Sequence, residues 1–181
     1  TDRTKEAIFS HLDSWGVLDD ARVLDLFAGT GALGIEALSR GARELVAVES
    51  AAPAAALIAQ TLTALKRNRS WEPGMSARVV KARAEKYAAA ASAVAPFDVI
   101  FIDPPYAFET EACNQLLADR ESGELTGEGT VIVLERSTRS DEPTAPEGWD
   151  ITDRRDYGET AVYYIEPAES AEPAEPVESA D

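Results

Sequence analysis

The chain of 181 residues is 45% apolar and 28% charged, the composition of one globular domain with short appendages. Its single cysteine, Cys113, excludes an internal disulfide framework and a four-cysteine zinc site, and favours a reducing, cytoplasmic setting. No apolar run approaches the roughly 18 residues of a membrane span, and the net charge of −16 argues against non-specific binding of nucleic acid, which depends on Lys and Arg.

Strands and helices alternate along most of the chain. Helices are predicted over residues 3–15, 32–40, 51–67, 84–94 and 109–121. Strands are predicted over residues 22–27, 44–49, 77–81, 97–102 and 130–134, followed by an antiparallel closing pair at 150–156 and 160–166. Apolar strands that alternate with helices are typical of an α/β fold, with a parallel sheet covered by helices on both faces. Ligands of such sheets bind at the carboxyl ends of the strands.

Residues 167–181 differ in composition from the rest of the chain. They contain five acids, three prolines and no base. A segment of this kind buries too little apolar surface to offset the entropy lost on ordering, so we expect a disordered acidic tail. The folded domain is therefore predicted to cover residues 1–166.

The first predicted strand leads into a glycine loop. Gly29, Gly31 and Gly34 match the pattern G-x-G-x-x-G, whose glycines permit a tight turn and the close approach of a nucleoside ligand. Glu49 follows at the end of the next strand, where a carboxylate can accept hydrogen bonds from a ribose diol. Asp25 would repel a pyrophosphate and suits the ammonium and sulfonium of S-adenosylmethionine, although it could instead hold the amides of its own loop.

The fourth strand ends in a second motif, Asp103-Pro104-Pro105-Tyr106, called the DPPY motif below. Consecutive prolines fix the backbone and remove two N–H donors. The Asp103 carboxylate and the Pro104 carbonyl would then form a rigid pair of acceptors for a planar NH2 group, which favours a nucleophilic nitrogen. Tyr106 offers an aromatic face on which a base can stack. The motif therefore predicts transfer of a sulfonium methyl group to an amine.

These motifs, in this order, resemble the amino-group methyltransferases of the Rossmann-like class. DRTKEAIF at 2–9, DLFAGTGALGIEALSRGA at 25–42, VES at 48–50, FDVIFIDPPY at 97–106 and YGET at 157–160 resemble more narrowly the bacterial 16S rRNA guanine-N2 methyltransferases of the RsmD type. The resemblance covers residues 1–166. It implies a seven-stranded, mostly parallel sheet, S-adenosylmethionine as methyl donor, and the N2 amine of a guanine in small-subunit rRNA as acceptor.

The resemblance also implies roles for particular residues. The implied cofactor site consists of Asp25, Phe27, Gly29, Gly31, Glu49, Ser50 and Ala84. The implied catalytic set, which would hold the target base, consists of Asp103, Pro104, Pro105 and Tyr106. Candidate RNA contacts are Arg3, Lys5 and Phe108, for which a solvated helix face or simple packing is the alternative. The implied partner is 16S rRNA, as a 30S subunit or an assembly intermediate, bound by a monomer without a metal or a membrane.

Two features depart from the family. Its members usually begin with a basic β-hairpin before the segment that starts here at Thr1, so we expect weakened RNA binding from a chain without it. Arg83 stands where a small polar residue often contacts the adenine, and an arginine cannot accept a hydrogen bond from the adenine amine.

Other functions stay open. The acceptor could be the N6 amine of a DNA adenine or a protein glutamine amide, because the same pair of acceptors would serve each. A nicotinamide-dependent oxidoreductase could use the glycine loop, but Asp25 disfavours it and the DPPY motif would have no role. A non-catalytic protein that binds S-adenosylmethionine, or one that assists ribosome assembly, would not need the intact DPPY motif.

Overall fold

The computed structural model describes residues 2–90, 95–122 and 125–169. The five helices in these ranges are α1 Asp2–Trp15, α2 Ala32–Ser39, α3 Ala52–Lys66, α4 Ala84–Ala90 and α5 Thr110–Ser122. The seven strands are β1 Arg22–Asp25, β2 Glu44–Glu49, β3 Ser76–Lys81, β4 Val99–Ile102, β5 Val131–Ser137, β6 Trp149–Tyr157 and β7 Thr160–Pro167. Each predicted helix and strand is therefore present, in the predicted order.

Two predicted segments fall partly outside this description. The last part of the predicted helix 84–94, residues 91–94, and most of the predicted acidic tail, residues 170–181, lie outside the described residues. Within the described ranges, no helix combines the length and the apolar character that a membrane span requires.

All seven strands form one sheet in the order β3-β2-β1-β4-β5-β7-β6. β1 to β5 run parallel, and β7 lies antiparallel between β5 and β6. This is the predicted α/β, Rossmann-like sheet with an antiparallel closing pair. Because the chain builds outward from β1 first toward β3 and then, through β4, toward β6, the order reverses between β1 and β4. Ligands of open α/β sheets bind at such a switch point.

Helices cover both faces of the sheet. Side chains alternate along a strand, so Val23 packs in one apolar layer and Leu24 in the other. The first layer contains the apolar sides of α1 and α3, with Ile8 and Ile58 fully buried, and the second contains α5, with Leu116 almost fully buried. The layers fix the helices against the strands, and the strand ends are thereby held in place beneath the loops.

The start of α2 lies very close to β2 because Gly34 has no side chain. A Cβ at this position would lie 2.5 Å from Cδ1 of Leu45, which is itself buried. The third glycine of the loop therefore serves the packing of helix on strand, and this packing places the glycine loop over the end of β1.

β1 is two residues shorter than predicted. It ends at Asp25 instead of Phe27, although the Leu26 N–H still donates to the Phe101 carbonyl of β4 at 3.0 Å. The Ala28 N–H still donates to the Val48 carbonyl of β2 at 3.0 Å, and Gly29 then takes the left-handed conformation with φ of 58°. Phe27 consequently belongs to the loop above the sheet.

The last strands extend further than predicted. β5 reaches Ser137, because its pairing with β7 extends to Thr160, the first residue of β7. β7 continues to Pro167, and the Ala168 N–H donates to the Gly148 carbonyl at 2.7 Å. The paired chain therefore passes the predicted domain boundary at residue 166.

Candidate active site

The carboxyl ends of β1, β2 and β4 surround a cavity of about 460 Å³, the cofactor cavity. It lies at the switch point of the sheet, between the glycine loop and the DPPY motif. Five of the predicted cofactor residues line it, namely Phe27, Gly29, Glu49, Ser50 and Ala84. Asp103 and Pro105 of the predicted catalytic set line it from the other side. The fold thus brings together residues that lie far apart in the sequence.

Glu49 connects the two loops that border this cavity. Its Oε1 accepts a hydrogen bond from the Gly29 N–H at 2.9 Å, and its Oε2 accepts one from the Ala51 N–H at 2.7 Å. The side chain is half-buried, and each carboxylate oxygen has two lone pairs, so acceptor capacity is left for a diol. The glycine loop and the start of α3 are thereby fixed to the end of β2.

Asp25 is buried at the end of β1, with 1% of its surface exposed. The N–H groups of Gly34 and Phe27 donate to its carboxylate, whereas Oδ1 has no hydrogen-bond partner among the described residues. Burial, and then the charge of Asp103, raise the pKa of Asp25 to about 7. The carboxylate therefore holds amides of its own loop, as one alternative predicted, and still carries an oxygen that a cation could satisfy.

The DPPY motif separates the cofactor cavity from a second one. Pro104 is buried, whereas Asp103, Pro105 and Tyr106 are exposed, Tyr106 to 80%. All four residues line the second cavity of about 290 Å³, the acceptor cavity. Asp103 and Pro105 line both cavities, so groups bound on either side can meet at Asp103. The Tyr106 hydroxyl shares a hydrogen bond of 3.3 Å with Oγ of Ser137, which fixes the ring beside the end of β5.

Glu135, near the end of β5, is a site residue that the sequence reasoning missed. It lines the acceptor cavity, and its carboxyl group shares a hydrogen bond with that of Asp103. Desolvation by the surrounding protein raises the pKa of both carboxyl groups, and together with the charge of Asp103 it raises that of Glu135 to about 8. The shared hydrogen bond lowers the pKa of Asp103 and raises that of Glu135, which favours Glu135 as the donor and Asp103 as the acceptor. The sequence did contain a signal for Glu135, because this acid directly follows the apolar run of a predicted parallel strand, 130–134.

Phe108 and Arg83 both line the cofactor cavity, a position that was expected for Arg83 and not for Phe108. Phe108 lines the cofactor cavity, where its ring lies 5.2 Å from that of Phe27 at an interplanar angle of 69°, and it also borders a groove beside Tyr106. The structure thus places this candidate RNA contact partly on the cofactor side. Arg83 lines the same cavity and pairs with Glu85 at 3.2 Å.

Asp25 and three further candidates, Gly31, Arg3 and Lys5, do not border either cavity. Gly31 has φ of 82° and caps the start of α2, and a Cβ there would lie 3.2 Å from Cδ1 of Ile35. Its conformation explains the glycine without a direct ligand contact. Arg3 is exposed and Lys5 half-buried in the first turns of α1. Their predicted contact with RNA stays a prediction.

The site offers two ligand-binding spaces that meet at one carboxylate. The cofactor cavity has a diol acceptor, Glu49, in its lining, and the buried acid Asp25 directly precedes the lining residues Leu26 and Phe27 without lining the cavity itself. An acid in this place suits a nucleoside that carries a positive charge. The acceptor cavity combines the acceptor pair of Asp103 and Pro104 with the exposed ring of Tyr106, which suits a base with a planar amine. Across the described ranges, no three His, Cys, Asp or Glu side chains are grouped to hold a metal.

Comparison with known sequences gives consistent matches. The family described as Conserved hypothetical protein 95 matches residues 1–166. The chain is 32% identical over 163 residues to Ribosomal RNA small subunit methyltransferase D of Escherichia coli strain K12, covering 89% of this chain and 75% of that protein. It is 30% identical over 159 residues to the protein of the same name from Haemophilus influenzae, covering 87% of this chain and 76% of the relative.

Solved structures agree with these matches. The Escherichia coli protein yhhF superimposes with a TM-score of 0.78 at 29% identity, covering 92% of this chain and 85% of that one. A hypothetical protein of Thermus thermophilus superimposes with a TM-score of 0.73 at 31% identity, covering 92% of this chain and 86% of that one. Magnesium protoporphyrin IX methyltransferase from Synechocystis PCC 6803, solved with bound SAM, gives 0.69 at 13% identity and shows the shared fold alone. From the family match and the identities over most of both chains, the protein belongs to the RsmD family, as its motifs predict.

Proposed function

We propose that this protein transfers a methyl group from S-adenosylmethionine to the exocyclic N2 amine of a guanine in 16S rRNA. The observation that carries the proposal is that Asp103 and Pro105 border both the cofactor cavity and the acceptor cavity. Membership of the RsmD family supports rRNA as the substrate and methyl transfer as the reaction.

The polar groups of the cofactor cavity suit S-adenosylmethionine. Glu49 would accept hydrogen bonds from the ribose hydroxyls, and Ser50 and Ala84 line the same space, where the adenine would lie. The unpartnered oxygen of Asp25 would be stabilised by the positive charge of the methionine portion, which would offset the burial that raises its pKa. When bound, the cofactor supplies a methyl group on a sulfonium leaving group.

The residues of the DPPY motif would hold and orient the acceptor. The Asp103 carboxylate and the Pro104 carbonyl accept the two hydrogens of the amine, which directs its lone pair toward the cofactor cavity. Glu135 donates to Asp103 and so favours the ionised form of that acceptor. Tyr106, fixed by Ser137, offers its exposed ring to a base that has turned out of the RNA. After transfer, the methylated amine is strongly acidic, and its proton leaves to Asp103 or to water.

The acceptor would be presented by naked rRNA, by a 30S subunit or by an assembly intermediate, to a monomer in the cytoplasm. The net charge of −16 gives the chain no general attraction for RNA. Docking must therefore depend on local contacts around the acceptor cavity.

Product analysis tests the proposal. The chain is incubated with labelled S-adenosylmethionine and 30S subunits that lack the modification, and the digested nucleosides are identified by mass spectrometry. We expect N2-methylguanosine, and none with the variant D103N as negative control. S-adenosylhomocysteine should raise the melting temperature of both proteins, because the ribose acceptor Glu49 is intact in each.

Other outcomes would contradict the proposal in distinct ways. N6-methyladenosine would identify an adenine acceptor, and a methylated glutamine in a ribosomal protein would identify a protein acceptor. A thermal shift with NAD instead of S-adenosylhomocysteine would indicate an oxidoreductase. Binding of S-adenosylhomocysteine without any methylated product would exclude the 30S subunit as substrate.

A further inference from the structure

Arg136 is a buried cation that has no carboxylate partner in the described part of the chain. Only 7% of its surface is exposed. Its Nη2 donates to Oγ1 of Thr110 at 3.2 Å, while its Nε is buried and has no hydrogen-bond partner among the described residues. The half-buried arginines Arg22 and Arg40 behave differently, because each pairs with carboxylates at 3.0 Å or less. A function other than structural charge pairing is therefore required for Arg136.

The position of Arg136 connects the acceptor cavity to the outer surface. It lines the acceptor cavity together with Asp103 and Tyr106. It also lines an open groove of about 460 Å³ on the other side of Tyr106, which the start of α5 borders with Thr110. A molecule that fills the acceptor cavity with one group can therefore reach Arg136 with another.

Physical chemistry indicates the kind of group that Arg136 would take. A guanidinium buried without a counter-ion lowers stability, and an anion that reaches it restores the missing interaction. The planar fork of N–H groups matches two oxygens of a phosphate. The first turn of α5, at Thr110, adds backbone N–H groups that have no partner within the helix and favour an anion.

We propose that Arg136 binds a phosphate of the RNA backbone, next to the nucleotide whose base enters the acceptor cavity. The inference rests on the proposed function, because an RNA substrate is what supplies the phosphodiester. Arg136 would thus position the target nucleotide, with the base held by the DPPY motif and the backbone held at the groove. It takes no part in the transfer of the methyl group.

The surrounding charges make this a short-range contact. The groove also contains the acids Glu109, Glu111 and Asp141, and the exposed base Arg139 is already paired with Glu159 at 3.2 Å. These acids reduce any attraction for a distant phosphate. A free anion is therefore bound weakly, and the phosphate is bound more tightly when the rest of the nucleotide is in place, which favours RNA over free anions.

A set of three variants tests the inference. R136M removes the charge and keeps an apolar side chain, R136K keeps the charge without the fork, and R154Q removes a paired arginine outside the groove as control. We expect R136M to raise KM for unmodified 30S subunits about tenfold, the size of a lost charge-assisted contact, with little change in kcat. R136K should lie between R136M and wild type, and R154Q should match wild type.

Three further readouts distinguish phosphate binding from a structural role. R136M should melt at the same or a higher temperature than wild type, because an unpaired buried charge is removed, and should bind S-adenosylhomocysteine equally well. Its RNA affinity should depend less on salt, by about one unit in the log–log slope. An R136M protein that melts lower while KM is unchanged would overturn the inference and assign Arg136 to folding.

Sulfate separates this inference from the proposed function. At equal ionic strength, sodium sulfate should raise the melting temperature of wild type more than that of R136M, because only wild type offers the guanidinium. If wild type does not methylate 30S subunits, the proposed function fails, and the sulfate comparison still decides whether Arg136 binds a tetrahedral oxyanion. Equal sulfate shifts in both proteins would overturn the inference whatever the outcome of the methylation assay.

Discussion

β4 is flanked by two aspartates whose surroundings are opposite. Before the strand, Oδ2 of Asp98 accepts the Arg22 N–H at 2.8 Å, and the Arg22 guanidinium pairs with Glu44 at 2.6 Å. After the strand, Asp103 faces two cavities and shares a hydrogen bond with another carboxyl group, Glu135. At the amino edge of the sheet, Asp98 and Glu44 therefore each have a hydrogen-bond donor, whereas at the carboxyl edge one carboxyl group faces another.

The same contrast holds for the neighbouring charges. In the described part of the chain, neither Asp25 nor Glu135 forms an ion pair with a lysine or an arginine, and Arg136 forms none with an acid. Burial raises the pKa of both acids, which means that the folded state destabilises their charged forms. We infer that the polar groups of the amino edge stabilise the fold, whereas those of the carboxyl edge are available to bind ligands.

The strongest effect is expected where the two aspartates are compared directly. D103N should slow methyl transfer about 10³-fold, because the amide loses an acceptor oxygen and cannot take up a proton. D98N should keep the turnover of the folded enzyme and lose about 1 kcal/mol of unfolding free energy, because the Arg22 backbone N–H then donates to a neutral amide oxygen instead of a carboxylate. Single-turnover kinetics of both variants measure the rate of methyl transfer, and urea unfolding measures the unfolding free energy. Wild-type turnover in D103N would remove Asp103 from the reaction.

The second prediction concerns pH and stability. Between the ordinary pKa of 3.8 and about 7, the unfolded chain loses the Asp25 proton while the folded chain keeps it, so the unfolding free energy falls as the pH rises. D25N should remove about 2–4 kcal/mol of this decline, because its side chain carries no charge at any pH. Urea unfolding of the ligand-free proteins at pH 5, 6, 7 and 8 measures the difference. Parallel curves for wild type and D25N would show that burial does not hold Asp25 neutral.

The third prediction compares two carboxylates that line the cofactor cavity. E49A should weaken binding of S-adenosylhomocysteine by about 1.5–3 kcal/mol, because the ribose loses a charged acceptor and the glycine loop loses its bond to β2. E85Q is the matched control, since Glu85 is paired with Arg83 at 3.2 Å and has no role in the loop. Calorimetric titration measures both affinities. Equal losses in the two variants would contradict a specific role for Glu49.

The weakest of the predicted effects lies at the amino edge. R22M should lower the unfolding free energy by about 1–2 kcal/mol, because Glu44 loses its partner and the hydrogen bonds to the Ala95 and Pro96 carbonyls disappear. R136M, which removes the unmatched arginine of the opposite edge, should not destabilise the protein. Thermal unfolding of R22M and R136M, each compared with wild type, measures the two changes in stability. If R136M loses as much stability as R22M, the two edges do not differ in charge matching.

The order of the elements and most of the cofactor site could be predicted because their signals are local. Alternating apolar runs and glycine positions mark the strands, helices and turns, and all of them are found in the described chain. The positions of Gly29, Glu49 and Asp103 at or just after the ends of β1, β2 and β4 predict that they meet at one edge, since parallel strands end on the same side of a sheet. All three line the cofactor cavity.

Other features of the site were missed or depend on distant contacts. Glu135 and Arg136 follow the predicted strand 130–134, and they become strand residues because β7 pairs with them. Phe108 lies against Phe27 instead of facing the RNA side alone, because the chain after the DPPY motif folds back toward the cofactor cavity. Each depends on contacts between segments that are distant in the sequence.

Local patterns were enough to specify the α/β alternation, the glycine loop, the acid at the end of β2 and the DPPY motif, because the chemistry of each acts within a few residues. Which charges find a partner depended instead on the three-dimensional arrangement. Arg22 and Arg136 are the same residue type near strand ends, yet one is paired and the other is not. Solvation and ion pairing depend on which segments cover a side chain, and no local pattern contains that information.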